Sequence, residues 1–172
     1  MRTKMIMFCF ALMSGTAVAQ DSTVHHMDKT MNHDMKNMDG EMPMFKDAKL
    51  GNAYAHYIHV KDALVASNSI EAKKMASELK TALASVSNGN KASVQAAKIA
   101  NTSTLADQRK AFESLSAEMT ALVKGGQLSM GMIYVEYCPM VKASWLSNEK
   151  EIKNPYYGDQ MMKCGNVKEM IE

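Results

Sequence analysis

The sequence predicts a mainly α-helical protein, a small antiparallel bundle of three or four helices followed by a C-terminal module of short strands and loops. Between Asp47 and Lys124, apolar residues recur at helical spacing among Ala, Lys and Glu. After Gly131 the composition changes to short β-branched and aromatic runs separated by Asn-Pro and Tyr-Gly turns. The length of 172 residues suits one such domain with a tail.

The first nineteen residues have the pattern of a signal peptide. Two basic residues precede the uncharged apolar run 5–13, and Ala-Val-Ala at 17–19 supplies the small residues of a cleavage site, so we expect the mature chain to begin at Gln20. The run is too short to cross a bilayer. We therefore expect an exported, periplasmic protein that has no membrane insertion after cleavage and lies where disulfides form.

Residues 20–46 form a tail rich in methionine and histidine, with few other large apolar residues. Such a segment cannot bury enough surface to fold alone, so we expect it to be disordered. Thioethers suit Cu(I) and, by extension, Ag(I), whereas imidazole suits Cu(II) and Zn(II). The tail is therefore a predicted metal-binding segment; the alternative is a flexible leader whose methionines pack on the domain. Its candidate ligands are Met27, Met31, Met35, Met38, Met42, Met44, His25, His26 and His33.

The domain is predicted to span residues 47–172, and its helices follow from apolar stripes and capping residues. The resulting segments are 47–67, one capped by Ser69, a short one near 91–100 and one from Thr104 to the Gly-Gly at 125–126. Thr104 and Asp107 resemble a capping box. Met75 and Met119 lie on the apolar stripes, so we expect both in the core.

The C-terminal module, residues 131–172, contains the two cysteines of the mature chain. The run 132–137 predicts a strand that leads into Cys138, and Cys138 and Cys164 each have a methionine two residues away. In extended chain, residues two apart point to the same side, so each segment would present a thiol with a thioether. Four converging sulfurs would suit Cu(I) or Ag(I). The predicted ligands here are Cys138, Met140, Met161, Met162 and Cys164.

A disulfide between Cys138 and Cys164 is the competing interpretation. It would close a loop of about 25 residues and contribute about 3 to 4 kcal/mol by chain-entropy arguments. An exported chain with two mature cysteines favours such a pairing. A disulfide and a thiolate metal site exclude one another at any instant, although one pair of cysteines could alternate between them.

The strings YCPM (137–140) and WLSNEKEIKNPYYGDQMMKCG (145–165), preceded by QRKAFESLS (108–116), resemble a bacterial domain family of unknown function. Its members occur as small exported proteins and as the C-terminal extension of copper/silver-efflux periplasmic adaptor proteins. The resemblance spans residues 47–167 and implies a helical bundle with an appended module, an association with heavy-metal handling and no established reaction. The motif positions are Cys138, Pro139, Met140, Trp145, Asn154, Pro155, Tyr156, Gly158, Met161, Met162, Cys164 and Gly165.

These observations predict a periplasmic protein that binds Cu(I) or Ag(I), either to sequester the ion or to pass it to a heavy-metal efflux system or another periplasmic metal carrier. The alternative is a disulfide-stapled envelope interaction module with no metal role. The sequence lacks the common hydrolase, metalloprotease and phosphate-loop motifs, so we expect no enzymatic activity. The 20 basic residues nearly balance the 18 acidic ones, which argues against a nucleic-acid partner.

Overall fold

The computed structural model describes residues 42–172, and these residues confirm a mainly α-helical protein with a C-terminal strand module. The predicted signal peptide and the predicted tail up to residue 41 lie outside the described residues. The helices are α1 (Ala48–Val65), α2 (Ser69–Leu83), α3 (Asn90–Asn101) and α4 (Leu105–Gly125). The strands are β1 (Met44–Phe45), β2 (Leu128–Met130), β3 (Ile133–Cys138), β4 (Ala143–Ser147) and β5 (Asn166–Ile171), and a short 3-10 helix covers Gly158–Gln160.

Three of the helices, α1, α2 and α4, are capped at their N-termini by side chains. The Thr104 hydroxyl accepts from the amide of Asp107 at 3.2 Å, as the capping-box pattern predicts. The predicted cap at Ser69 is wrong by one residue, because Asn68 accepts from the Glu71 amide at 3.0 Å and Ser69 is already helical. Asp47 caps α1.

The core lies between the helices and the sheet that follows them. Each helix packs against the next one along the chain, and α4 also contacts α1, α2 and β4. Met75 and Met119 are buried, which confirms their predicted place in the core. A chain of aromatic contacts links the two layers: the rings of Phe112 and Tyr156 lie 5.9 Å apart, and those of Tyr156 and Trp145 5.8 Å apart.

The C-terminal strands form a three-stranded antiparallel sheet in the order β4-β3-β5. Glu136 pairs with Trp145 and Cys138 with Ala143, so the end of the central strand lies beside the start of β4. An irregularity in the pairing of β3 with β5 falls between Val135 and Glu136. This arrangement carries Cys138 to the edge of the core at the end of β3.

A separate two-stranded sheet joins β1 to β2. The sequence predicts a tail that runs to residue 46, whereas Met44 and Phe45 are part of the fold. Phe45 pairs with Leu128, and its ring lies 5.4 Å from that of Tyr54. Within residues 42–172, none of the helices has both the length and the apolar character needed to cross a bilayer.

Candidate metal centre

The structure brings Cys138 and Cys164 together. The Sγ atoms of Cys138 and Cys164 lie 4.0 Å apart, and both residues are free thiols. A disulfide would place the sulfurs about 2.05 Å apart. Cys138 is fully buried, whereas Cys164 is partly exposed. The pair therefore has an inner sulfur and an outer sulfur that solvent can reach.

Cys138 is the last residue of β3, and the chain turns directly after it. The amide of Lys142 donates to the carbonyl oxygen of Cys138 at 2.9 Å, and Lys142 has a φ of 59°. Met140 lies in this turn with 61% of its surface exposed. The expectation of extended chain at Cys138 and Met140 is therefore wrong, because the turn separates the buried thiol from the exposed thioether.

Cys164 also lies at a turn rather than in extended chain. Its amide donates to the carbonyl oxygen of Met161 at 3.0 Å, and Met162 accepts from the Asn154 amide at 2.8 Å. Met161 and Met162 are both half-buried. The extended geometry expected for Met162 and Cys164 is wrong as well, although the tight turn keeps both methionines next to Cys164 in the chain.

Asn154 connects the loop of the Asn-Pro motif to both cysteines. Its side-chain amide donates to the carbonyl oxygen of Cys164 at 2.7 Å, and its side-chain oxygen accepts from the Tyr156 amide at 2.8 Å. Asn154 is fully buried. The Asn154 side chain also lowers the pKa of Cys138. The sequence indicates only a turn at this position, whereas the structure shows a residue that positions the two thiols.

The surroundings move the pKa values of the two thiols in opposite directions. Burial raises the pKa of Cys138, but hydrogen bonds to its sulfur from the Val141 backbone and the Asn154 side chain lower it. Further hydrogen bonds from the Met140 backbone and Cys164 bring the pKa below its ordinary value. Desolvation and the adjacent Cys138 raise the pKa of Cys164. Cys138 is thus the first of the two thiols to lose its proton as pH rises, and Cys164 keeps its proton to higher pH.

Met42 and Met44, the remaining predicted ligands among the described residues, are placed elsewhere in the fold. Met42 is partly buried, and its sulfur accepts a hydrogen bond from the Asn148 side chain at 2.8 Å. Met44 lies on β1. Between residues 42 and 172, no three His, Cys, Asp or Glu side chains lie close enough to share a metal ion. The other tail ligands lie outside the described residues: Met27, Met31, Met35, Met38, His25, His26 and His33.

A buried carboxyl group, which the sequence pattern does not predict, lies on β3 close to Cys138. Glu136 lies two residues before Cys138 and is fully buried, and neither of its oxygens has a hydrogen-bond partner of normal geometry. Burial raises its pKa to about 8, while Lys61 and the nearby Trp145 indole act in the opposite direction. The sequence signal for this group is an acidic residue within the apolar run 132–138. At neutral pH the carboxyl is largely protonated.

Arg109 holds the Asn-Pro loop against the helices. Its guanidinium donates to the carbonyl oxygens of Pro155 and Leu64, each at 3.1 Å, and to the Ser67 hydroxyl at 2.9 Å. Gly158 passes so close that a Cβ there would lie 2.6 Å from the guanidinium, and its φ is +55°. The motifs around residues 108 and 158 thus meet in space and fix the loop that carries Asn154.

Comparison with known proteins bears on the helical part of the chain. No curated protein and no solved structure shows significant similarity to the chain. A family model does match, and the matched residues run from α1 through β2, so the two cysteines of the centre lie beyond them. Residues 53–131 are thus similar to a domain family described as "Protein of unknown function (DUF3347)".

Proposed function

We propose that this protein binds Cu(I) or Ag(I) through Cys138 and Cys164. The observation that carries the proposal is the 4.0 Å separation between two unbonded sulfurs, one fully buried and one partly exposed. Thiolates are soft ligands that prefer such ions. The role we assign is binding rather than catalysis.

The spacing of the sulfurs indicates how an ion would be held. With metal–thiolate bonds of about 2.3 Å, as in zinc sites, a sulfur separation of 4.0 Å corresponds to an angle of about 120° at the metal. That is the angle of a three-coordinate site, which leaves room for a third ligand. Met161 and Met162 lie on the turn that carries Cys164, so a thioether from this turn is the ligand we favour.

We assign different roles in metal binding to the sulfurs of Cys138 and Cys164. A metal ion needs thiolates, and the hydrogen bonds to Cys138 already stabilise that form. Cys164 is the more accessible sulfur and loses its proton when the ion binds. An ion therefore meets Cys164 first and is then shared with the buried thiolate.

The proposal also covers the location of the protein, the role of its tail and its partner. The signal-peptide pattern supports a periplasmic location, and the methionine-rich tail would collect ions before the cysteines hold them. Neutral thioethers exchange ions readily, which suits transfer to an efflux system. The resemblance of the C-terminal motifs to extensions of copper/silver-efflux adaptors supports this choice of partner.

Competition with a chromogenic Cu(I) chelator tests the proposal. Under anaerobic, reducing conditions the chain should withdraw Cu(I) from the chelator, and Cys138→Ala or Cys164→Ala should abolish the tightest equivalent. Met170→Leu provides the matched control, since Met170 is 54% exposed on β5 and lies outside the centre. If wild-type protein in excess leaves the chelator absorbance unchanged, the proposal is wrong.

The second candidate function is a disulfide-stapled interaction module. The 4.0 Å separation also favours it, because a small movement of either sulfur would allow a bond between Cys138 and Cys164. Counting free thiols in protein purified from the periplasm separates the two. Two free thiols with bound copper support metal binding, whereas no free thiol and no metal retained after reduction support the module.

A further inference from the structure

Two methionines face each other on the small β1–β2 sheet. Met44 and Met130 are direct cross-strand partners, and they are 56% and 59% exposed. Methionine usually fills gaps in a core, as Met75 and Met119 do here. Packing therefore does not account for this pair of exposed thioethers on adjacent strands.

The backbone around the pair is well fixed. The amide of Lys46 donates to the carbonyl oxygen of Gln127 at 2.9 Å, and the side chains of the same two residues are joined at 2.7 Å. At the other end Gly131, with a φ of +86°, lets the chain pass beside Pro43, where a Cβ would lie 2.9 Å from the Pro43 Cα. The register shifts between Met44 and Phe45, and the contacts of Lys46 and Gly131 flank the Met44–Met130 pair on either side.

The geometry permits both sulfurs to reach one ion. Directly opposed residues of an antiparallel pair have Cβ atoms about 4.5–5.5 Å apart, and the unbranched methionine side chain is flexible. Sulfurs that share a metal at bonds of about 2.3 Å can be at most about 4.6 Å apart, which this arrangement allows. A pair of uncharged thioethers offers no carboxylate to a hard cation and thus selects for soft monovalent ions.

We propose that Met44 and Met130 form a second metal site, which binds Cu(I) or Ag(I) through thioethers alone. Met42 is not part of it, because its sulfur accepts the hydrogen bond from Asn148. The site shares its metal class with the proposed function but uses none of the cysteines. Met44 follows Met38, the last methionine before the described residues, by six residues in the sequence.

Methyl NMR on protein labelled with 13C at the methionine methyl groups tests the site, with Ag(I) as the probe because it does not change oxidation state. The Met44 and Met130 signals should shift together and saturate at the same Ag(I) concentration. In Met130→Leu one of two ligands is lost, so the Ag(I) concentration needed to shift the Met44 signal should rise by about tenfold or more. Met170 is the matched control: it is equally exposed but lies opposite Tyr134, so Met170→Leu should leave the response of Met44 unchanged.

The titration is run on the wild-type chain and on the Cys138→Ala/Cys164→Ala variant. If that variant does not fold, the wild-type spectra still report on each methionine separately. An unchanged Met44 response in Met130→Leu, or an equal response from Met170, would overturn the paired site. Shifts confined to the cysteine module would overturn it too and leave the proposed function intact. Joint shifts of Met44 and Met130 with no Ag(I) on the thiols would instead support the pair and contradict the proposed function.

Discussion

The side-chain amide of Asn154 donates to the carbonyl oxygen of Cys164 at 2.7 Å, and the same buried side chain lowers the pKa of Cys138. One residue of the Asn-Pro loop therefore fixes the backbone at the outer cysteine and stabilises the thiolate of the inner one. The two thiols of the centre are joined through this side chain as well as through their own contact.

Replacing Asn154 by Asp should disturb the inner cysteine most. The aspartate has no amide to donate, and a second negative charge next to the thiolate raises the pKa of Cys138. We expect the thiolate absorbance to appear at higher pH and Cu(I) affinity to fall by about tenfold or more, equivalent to about 1.4 kcal/mol. Asn101→Asp, on the exposed end of α3, is the control. An unaltered thiolate titration in Asn154→Asp would contradict the assigned hydrogen bond.

Cu(I) binding should depend on pH in a way that reports the unequal thiols. Because the pKa of Cys138 is lowered and that of Cys164 is raised, there is a range in which only Cys164 carries a proton. Within that range Cu(I) displaces one proton, so the affinity should rise about tenfold for each unit of pH. At lower pH both thiols are protonated and Cu(I) displaces two protons, so the affinity should rise about a hundredfold for each unit of pH. Chelator competition between about pH 6 and about pH 8 measures the slope. A slope that Cys164→Ala leaves unchanged would show that Cys164 is not a ligand.

The stability of the fold should fall as pH rises, because of Glu136. Its pKa is about 8 in the folded protein and about 4.3 in an unfolded chain, so the native state holds the extra proton between these values. The contribution of Glu136 to the free energy of unfolding is greatest below about pH 4.3 and declines up to about pH 8, by at most about 1.4 kcal/mol per pH unit. Lys61 and Lys153 lower the pKa of Glu136 and so reduce the decline, whereas Glu149 raises the pKa.

Glu136→Gln should remove this part of the pH dependence, because the amide is neutral throughout. Urea unfolding at several pH values measures it. Glu169→Gln is the control: that carboxylate lies 47% exposed on β5 in an ion pair with Lys124, so its loss should change stability by about 1 kcal/mol or less and leave the slope intact. The same decline in Glu136→Gln as in wild type would show that another group titrates.

Local signals made much of the fold predictable. The cap at Thr104 and the apolar stripes through Met75 and Met119 depend on residues within one or two turns of helix, and the structure confirms them. The pairing of Met44 with Met130 depends instead on contacts between distant parts of the chain. No local pattern indicates such a partner, so the sequence does not reveal that Met44 and Phe45 pair with β2.

In the candidate centre, too, the sequence predicts features that depend on neighbouring residues and misses those that depend on contacts with distant residues. The resemblance and the composition identified Cys138 and Cys164, but the assumption of extended chain around them failed. The turn after Cys138 depends on Lys142, a non-glycine residue at a φ of 59°, and the turn before Cys164 is completed by Asn154 from another loop. Asn154 and Glu136 gain their roles from burial beside other elements, which sequence spacing does not reveal.

Gly165 should prove essential for the position of Cys164. A Cβ at this residue would lie 2.9 Å from the Trp145 ring and 3.1 Å from the carbonyl oxygen of Tyr137, both parts of the sheet. Gly165→Ala must therefore push the chain after Cys164 away from the indole, and we expect it to cost about 1 to 3 kcal/mol of stability and to weaken Cu(I) binding.

Gly125→Ala is the matched control for this substitution. A Cβ at Gly125, the last residue of α4, would meet no atom within 4 Å, and alanine favours helix, so this variant should be as stable as wild type or slightly more stable. Trp145 is the single tryptophan of the chain, so its fluorescence follows unfolding and local displacement in both variants. Equal stability and equal Cu(I) affinity in Gly165→Ala and Gly125→Ala would show that the contact with Trp145 does not position Cys164.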